Sequence, residues 1–271
     1  MELSVTKIKD YKMCKRLYEL KYLEKIKPVK DSEALINGRS YHDKLEQLYT
    51  KGYFDFSGDI TDAMAFAYEK FIYPEFSMCY VEDWFDYKLN DNHTLIGRID
   101  GITSDKILVE HKTTSRDVDE SYIYNLQWDE QILSYMLANN TRKIYYTVCK
   151  KPTIRKKKNE SDEDFINRCC NWYNEDTEKK IGVFMLERTD EEIEKHKKNL
   201  IYIADEMEDC SKHKEKLYNN PCACSMWGSR CPYSSICLNY QPDKEYIGFV
   251  KEIKEEKKED ELFWFGWFKR R

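Results

Sequence analysis

Long apolar segments are missing from this sequence. Nowhere among its 271 residues do about 18 apolar residues follow one another, which is the length that a membrane-spanning helix requires. The first residues, MELSVTKIKDYKMCKRLYEL, also lack the uninterrupted apolar stretch of a signal peptide. We therefore expect no membrane insertion and a cytoplasmic location.

An excess of positive charge is missing as well. The net charge is −5, which does not by itself indicate a nucleic-acid-binding protein. No internal repeat of about 20 to 50 residues is visible. One segment is different, because residues 142–158, RKIYYTVCKKPTIRKKK, contain eight Lys or Arg side chains. These charges can attract phosphate, and a solvated loop is the alternative interpretation.

The ten cysteines lack the paired C-x-x-C spacing that is the strong sequence signal for zinc. In a reducing compartment, metal ligation together with ordinary buried thiols explains them better than disulfides do. Four thiols fall within CACSMWGSRCPYSSIC, residues 222–237. If these four formed a single metal site, Cys222 and Cys224 would have to bind the same metal although only one residue separates them, which is sterically unfavourable. The remaining cysteines apart from Cys14 fit strand or helix patterns as buried apolar side chains: Cys79, Cys149, Cys169, Cys170 and Cys210.

The pattern of apolar residues predicts a mixed α/β fold. The predicted helices cover residues 6–24, 32–51, 61–73, 121–139, 160–175 and 190–217. The segments MCYVEDWFDYKL, HTLIGRIDGIT and KILVEHKTT predict three consecutive antiparallel strands, and KIYYTVCKK and IGVFMLERT predict two more. Beyond about residue 240 the chain reads as a charged tether that ends in a cluster of aromatic residues.

Acidic and basic side chains converge on the predicted strands. Because side chains alternate along a strand, Glu110 and Lys112 share one face, and an antiparallel pairing can bring Asp100 beside Glu110. Two carboxylates and an ammonium suit metal-assisted phosphodiester hydrolysis, in which Mg²⁺ or Mn²⁺ takes carboxylate oxygens as ligands. A surface cross-strand ion pair is the alternative. Glu82, on the first strand, is a possible further acid.

The segments GRIDGIT and ILVEHKTT resemble the D…(D/E)xK signature of the PD-(D/E)XK nuclease superfamily, in particular its RecB-type branch. That branch also has a histidine in an upstream helix and a Q-x-x-x-Y motif in the helix after the third strand. Here GRSYHDKLEQLY supplies His42, and DEQILSYML supplies Gln131 and Tyr135. The signature proline is absent, since Ile99 precedes Asp100. The resemblance covers residues 1 to about 240 and implies a restriction-endonuclease-like mixed sheet flanked by helices.

The resemblance also implies a role for each matching residue. His42, Asp100, Glu110 and the backbone carbonyl of His111 would bind the metal. Lys112 would be the catalytic lysine, and Gln131 and Tyr135 would border the site and position DNA. Without the family context, His42 is an ordinary helix histidine, and Gln131 and Tyr135 are one helix face.

The same family contains iron–sulfur members that take one cysteine from the N-terminal helix and three from a C-terminal segment. YKMCKRLYEL and ACSMWGSRCPYSSIC resemble these two pieces. The resemblance therefore implies a [4Fe–4S] cluster on Cys14, Cys224, Cys231 and Cys237, with Cys222 outside the ligand set. Such a cross-link would remove roughly 4 to 5 kcal/mol of loop entropy from the unfolded chain. A Zn²⁺ site on the same or neighbouring thiols is the alternative.

The predicted function is a Mg²⁺- or Mn²⁺-dependent deoxyribonuclease similar to RecB-type and CRISPR-associated RecB-like exonucleases, acting on single-stranded DNA or DNA ends. A catalytically inactive DNA-binding or scaffold module of the same fold is the main alternative, but such relatives lose the acid or the lysine, and both are present here. A zinc-stabilised interaction protein is the third possibility.

The division predicted is a nuclease domain over residues 1–240 and a charged tether with an aromatic tail over residues 241–271. Leu262, Phe263 and Phe265 would anchor the tail either on the domain or on a protein partner. DELFWF loosely resembles peptides that bind bacterial sliding clamps, without the glutamine expected at the start.

Overall fold

The computed structural model describes residues 1–226, 230–242 and 244–252. Its helices are α1 (Val5–Met13), α2 (Lys15–Tyr18), α3 (Glu33–Lys51), α4 (Ile60–Phe71), α5 (Glu120–Asn125), α6 (Glu130–Ala138), α7 (Asp162–Tyr173) and α8 (Asp190–Lys212). Its strands are β1 (Glu2–Leu3), β2 (Ile26–Pro28), β3 (Met78–Lys88), β4 (Thr94–Thr103), β5 (Leu108–Thr114), β6 (Lys143–Lys150), β7 (Ile181–Glu187) and β8 (Phe249–Lys251). No helix in these described ranges is long and apolar enough to cross a membrane.

The chain forms two units. The larger unit consists of Met1–Lys9 and Asp31–Lys212, and the smaller one joins Asp10–Lys30 to the C-terminal segment that begins at His213. The smaller unit therefore combines an N-terminal and a C-terminal segment. The predicted boundary at residue 240 stays a prediction.

A mixed six-stranded sheet forms the centre of the larger unit. Its strands follow the order β1-β4-β5-β6-β7, and β3 pairs with β4 outside this path. The β3–β4 and β4–β5 pairs are antiparallel, as predicted, whereas β5 and β6 are parallel. The fold-class prediction of a mixed sheet flanked by helices is confirmed.

One edge of β4 is only partly covered. The β3 strand pairs along β4 from Thr94 to Thr103, so β1 and β5 must share the opposite edge. There β1 pairs with residues 94–95 and β5 pairs with residues 101–102. Residues 96–100 have no strand partner on that edge within the described part of the chain. This gap places Asp100 at an opening in the sheet.

Helices α3 and α4 pack on one face of the sheet. The Ser32 side chain accepts a hydrogen bond from the Leu35 N–H at 3.3 Å and caps α3, and a capping box at Asp59 begins α4. Their apolar sides bury a cluster formed by Tyr41, Leu45, Leu48, Met64, Tyr68, Cys149 and Ile181. Each fully buried leucine of this cluster contributes about 1.5 to 3 kcal/mol. The cluster therefore fixes α3 against the strands that carry the candidate site.

The smaller unit has its own core and its own two-stranded sheet. Strand β2 pairs antiparallel with β8, with Lys27 opposite Val250. Its buried side chains are Cys14, Leu17, Leu20, Ile26, Tyr233 and Ile236. The Tyr233 hydroxyl donates a hydrogen bond to the Ile26 carbonyl at 2.8 Å. Side-chain packing and backbone pairing thus join the two segments of this unit.

Two predicted helices are interrupted. The helix expected over residues 121–139 divides into α5 and α6, because Leu126–Trp128 form a 3₁₀ turn and Asp129 is extended before it caps α6. The helix expected over residues 6–24 breaks at Cys14, which is extended with φ −161° and ψ 115°, and it continues beyond α2 as a π-helical turn over Glu19–Leu23. Three short strands, β1, β2 and β8, were not predicted.

Candidate active site

Asp100 lies where β4 and β5 separate. The backbone pairing of these strands ends at Gly101 and Val109, and beyond it the Asp100 Oδ2 accepts a hydrogen bond from the His111 N–H at 2.7 Å. The carboxylate thus takes the place of a backbone acceptor. This contact holds Asp100 beside Glu110, as the predicted antiparallel pairing implied.

His42 and Glu82 approach Asp100 from two different elements. The His42 Nδ1, on α3, lies 3.2 Å from Asp100 Oδ1 and 3.9 Å from Glu82 Oε1. Glu82 is on β3, where Val81 pairs with Gly101 and Asp83 pairs with Ile99, so the register puts Glu82 opposite Asp100. The three residues form a group in which one ligand atom of each lies within 4.8 Å of the others.

Glu82 has an unusual backbone conformation. Its φ is +55°, in the left-handed region that non-glycine residues rarely adopt. Such strain persists only where the surrounding structure imposes it, and it is often found at functional sites. From sequence, Glu82 is only a possible further acid, because a single acid on a strand carries no signal of a backbone distortion.

Glu110 and Lys112 project from the same face of β5. Glu110 is 2% exposed, and the Lys112 ammonium forms an ion pair with its Oε1. The other carboxylate oxygen, Glu110 Oε2, is buried and has no hydrogen-bond partner among the described residues. A buried carboxylate oxygen without a partner is costly unless it is protonated or bound to a cation.

Gln131 links both of these side chains to α6. Its Nε2 donates hydrogen bonds to Glu110 Oε1 and to the Tyr135 hydroxyl, both at 2.8 Å, and its Oε1 accepts one from Lys112 Nζ at 3.1 Å. Asp129 caps this helix by accepting from the Gln131 N–H at 2.9 Å. The interrupted helix therefore begins at the position that aims Gln131 at the site.

His111 points to the opposite face of the sheet from Glu110. Its Nδ1 lies 2.7 Å from Thr147 Oγ1, and its ring packs edge-to-face on Tyr68. Burial lowers the pKa of His111 to about 3, so the ring is neutral in the folded protein. The imidazole supports the strand, and the predicted metal contact concerns only the backbone carbonyl of this residue.

The carboxyl groups of the site differ strongly in acidity. Burial opposes ionisation of Asp100, but the charge of His42 and its hydrogen bond hold the Asp100 pKa below its ordinary value. Burial and the neighbouring Asp100 charge raise the pKa of Glu110 to about 8 and that of Glu82 to about 7. Ionising all three carboxyl groups at once is therefore costly, and a bound cation would offset that cost.

The residues fit a divalent metal ion. A hard cation prefers oxygen ligands, and the Asp100 and Glu82 carboxylates group with the His42 nitrogen. The predicted ligand Glu110 lies outside this group but interacts electrostatically with Asp100. The partnerless Glu110 Oε2 is the strongest indication, because a cation would satisfy it.

The cysteines of the smaller unit lie around a second candidate site. Cys14, Cys224, Cys231 and Cys237 line a mainly apolar cavity of about 60 Å³. Asn220 donates its N–H to Cys14 Sγ at 3.3 Å, and its side-chain amide donates to the Met13 carbonyl at 2.9 Å. Cys222 is exposed and does not line the cavity. The structure thus gathers the four predicted ligands and leaves the fifth cysteine outside.

Outside the site, Cys149, Cys169 and Cys210 are buried as predicted, whereas Cys170 is half-buried and Cys79 is exposed. The predicted basic segment extends beyond β6, and Lys151 there forms an ion pair with Glu33 at 2.5 Å. The aromatic tail anchors, residues 262, 263 and 265, lie outside the described residues.

A sequence profile of the PD-(D/E)XK nuclease superfamily matches residues 2–69, the segment that contains His42. No curated protein matches the chain. Among solved structures, an exonuclease candidate from Eubacterium rectale is similar over 88% of this chain and 92% of its own, with a TM-score of 0.52 and 13% identity.

Two further structures resemble the chain more remotely. A phage-related exonuclease from Haemophilus somnus has a TM-score of 0.37 and 14% identity, covering 70% of this chain and 90% of its own. An alkaline exonuclease from Laribacter hongkongensis has a TM-score of 0.34 and 12% identity, covering 80% and 94%. This chain shares its fold, a central mixed sheet flanked by helices, with the Eubacterium rectale structure.

Proposed function

We propose that this protein is a metal-dependent deoxyribonuclease of the RecB-like type. The observation that carries the proposal is the convergence of Asp100, Glu110 and Lys112 at the opening in the sheet, with a buried carboxylate oxygen left without a partner. A surface ion pair does not explain this arrangement, since Glu110 is buried and tied to Gln131. An inactive scaffold does not require a catalytic lysine.

Each residue has a distinct task in this proposal. Asp100, Glu110, His42 and the His111 carbonyl would hold Mg²⁺ or Mn²⁺. Glu82, which groups with His42 and Asp100, would assist them. A divalent ion held there would supply polarisation of the scissile phosphate and a more acidic bound water. Lys112 keeps its positive charge, because Glu110 and Asp100 raise its pKa against the effect of burial. It orients the attacking water and stabilises the charge that develops on the phosphate oxygens.

Gln131 and Tyr135 orient these groups. The amide holds the Glu110 carboxylate and the Lys112 ammonium in one geometry, and Tyr135 fixes the amide in turn. The substrate we propose is single-stranded DNA or a DNA end, with exonucleolytic cleavage. The family resemblance supports this specificity, and the fold shared with the Eubacterium rectale exonuclease candidate agrees with it.

The test compares purified wild type with Lys112→Ala on end-labelled linear DNA and on circular single-stranded DNA, each with Mn²⁺ or Mg²⁺. We expect the variant to lose at least about 10²-fold in rate, the usual scale for removing a charge stabiliser. Lys21→Ala is the matched control, because Lys21 has similar exposure and its own carboxylate partner, Asp10 at 2.7 Å. Cleavage of linear DNA alone supports an exonuclease. Equal rates for Lys112→Ala and wild type would refute the assignment.

We further propose a [4Fe–4S] cluster on Cys14, Cys224, Cys231 and Cys237. The four thiols share one cavity, and no three of them have sulfur atoms within 4.8 Å of one another. Tetrahedral zinc with bonds of about 2.3 Å holds its sulfurs within about 4 Å of each other, so this spacing is wide for a single ion. A cluster binds each thiolate through a different iron atom, so its ligands stand farther apart.

Purification without oxygen tests the cluster. We expect a brown protein with a broad visible absorption band, and Cys14→Ser should lose iron and melt at a lower temperature. Cys222→Ser is the matched control and should change neither quantity, because Cys222 lies outside the cavity. Colourless protein that contains stoichiometric zinc would establish the alternative metal, and a requirement for Cys222 rather than Cys14 would overturn the ligand set.

A further inference from the structure

Trp84 and Arg98 form an exposed pair on adjacent strands. They lie opposite each other in the β3–β4 register, and the Arg98 guanidinium carbon is 5.6 Å from the Trp84 ring centroid. Trp84 is 71% exposed. A large aromatic side chain with so much open surface is not explained by packing in the core.

The pair adjoins the metal-binding carboxylates. Arg98 Nε lies 2.6 Å from Glu82 Oε2, and Glu82 in turn lies 3.9 Å from His42 Nδ1. Trp84 and Arg98 are each two residues along their strands from Glu82 and Asp100, a distance of about 7 Å. A nucleotide next to one whose phosphate is held at the carboxylates therefore comes within reach of both side chains.

Arg98 retains donors for a ligand. Its Nε makes an ion pair with Glu82, and its terminal Nη atoms donate no hydrogen bond in the described part of the chain. The side chain is 48% exposed. A guanidinium with one edge anchored and the other free is arranged to bind a phosphate group.

We propose that Trp84 and Arg98 form the binding subsite for the nucleotide next to the scissile phosphate, and that the subsite selects single-stranded DNA. A base stacks on the Trp84 ring, and the Arg98 Nη atoms bind the phosphate that follows. The proposal rests on the proposed nuclease function and specifies its substrate. It gives a role to two residues for which the family resemblance implies none.

Single strands are favoured because of the geometry of stacking. A base within a duplex is covered on both faces by its neighbours, whereas an unpaired base has a free face for an aromatic side chain. Arg98 lies over the Trp84 ring and keeps the indole oriented, so little side-chain freedom is lost when a base binds.

The alternative is that the pair merely stabilises the edge of the sheet. Cation–π and cross-strand pairs do contribute to stability at exposed sites. That role predicts a change in melting temperature without a selective change in DNA binding, so the two interpretations are separable by experiment.

The experiment measures binding of a labelled thymidine oligonucleotide about 15 nucleotides long, by fluorescence anisotropy with EDTA present so that no cleavage occurs. Trp84→Ala should weaken binding by about 5- to 150-fold, the range that corresponds to stacking of one base on an aromatic ring. Trp84→Phe keeps an aromatic face and should recover most of the loss. Tyr202→Ala, which removes an aromatic residue that is 72% exposed on α8, is the matched control and should bind as wild type does.

Arg98 is tested by the salt dependence of the same binding. Each phosphate contact to a single strand contributes about 0.7 to the slope of log K against log salt concentration. Arg98→Ala should lower the slope by about this amount, Arg98→Lys should keep it, and Trp84→Ala should leave it unchanged. Closed circular duplex should bind wild type and Trp84→Ala equally.

Three results would overturn the subsite: wild-type affinity in Trp84→Ala, equal losses in Trp84→Ala and Tyr202→Ala, or an unchanged salt slope in Arg98→Ala. Failure of the nuclease proposal is recognised separately, because it appears as a lack of metal-dependent cleavage by the wild type. The binding assay does not depend on cleavage.

Discussion

Replacing Gln131 with alanine should lower the rate of DNA cleavage while leaving the fold intact. The Gln131 side chain makes three hydrogen bonds, at 2.8 Å to Glu110, 2.8 Å to Tyr135 and 3.1 Å from Lys112. Two of these involve charged groups, and a hydrogen bond to a charged group contributes about 1.5 to 3 kcal/mol. Losing one such contact from the transition state corresponds to about a 10- to 150-fold lower rate.

Single-turnover cleavage of a labelled oligonucleotide, measured across a Mn²⁺ titration, is the appropriate assay. Because Gln131 acts through Glu110 and Lys112, we expect a lower maximal cleavage rate at saturating Mn²⁺. We also expect a weaker apparent affinity for Mn²⁺. Tyr135→Phe removes only the hydroxyl that fixes the amide, and its effect should be smaller.

The double variant of Gln131→Ala and Tyr135→Phe gives a sharper test. If Tyr135 acts by fixing the amide, the double variant should be no slower than Gln131→Ala alone, since contacting residues in one network are not additive. Strictly additive losses would show that Tyr135 acts independently. A Gln131→Ala protein within about twofold of wild type would refute the positioning role altogether, since that difference is well below the loss of one hydrogen bond to a charged group.

Three other perturbations follow from the structure. Gly97→Ala should destabilise the larger unit by about 1 to 3 kcal/mol in urea unfolding, because a Cβ at Gly97 would lie 2.5 Å from Phe85 Cζ. Gly38→Ala is the control and should be neutral or stabilising, because a Cβ at Gly38 would have no atom within 4 Å. In the presence of EDTA, the stability gained by Glu110→Gln should grow as pH rises from about 5 to 8. The pKa of the Glu110 carboxyl is raised from 4.5 to about 8 in the folded protein, so the folded protein keeps a proton that the unfolded chain loses. Wild-type stability therefore falls over this pH range. A stability difference between Glu110→Gln and wild type that does not change with pH would contradict this. Truncation after Glu259 should leave the melting temperature and cleavage of bare DNA unchanged if the tail binds a partner, whereas a drop of several degrees would place its aromatic residues in the core.

Much of the site was predictable because its signals are local. The alternation of side chains along a strand placed Glu110 and Lys112 on one face, and the spacing of Gln131 and Tyr135 placed them one helical turn apart; the structure shows both arrangements. The short turn between β4 and β5 favoured an antiparallel pair, which brings Asp100 beside Glu110. These placements depend on residues that are close together in the chain. Regular strand and helix geometry produces the same placement wherever the spacing occurs.

Local patterns did not predict where helices break or which groups lose water. The break at Asp129 precedes the helix from which Gln131 contacts Glu110 and Lys112. The break at Cys14 coincides with contacts to Asn220, more than 200 positions away. Such contacts join residues that are distant in sequence, so no window along the chain contains them.

The sequence by itself determined the strand order of the central hairpins, the shared face of the acid and the lysine, and the cysteines available for a cluster. Only the tertiary structure decided that Glu82 meets His42 and Asp100, that Arg98 anchors on Glu82 beside an exposed Trp84, and that Glu110 is buried with a raised pKa. The physical reason is that periodicity is a property of the backbone, whereas burial, charge coupling and ligand geometry arise only when separate strands and helices pack together.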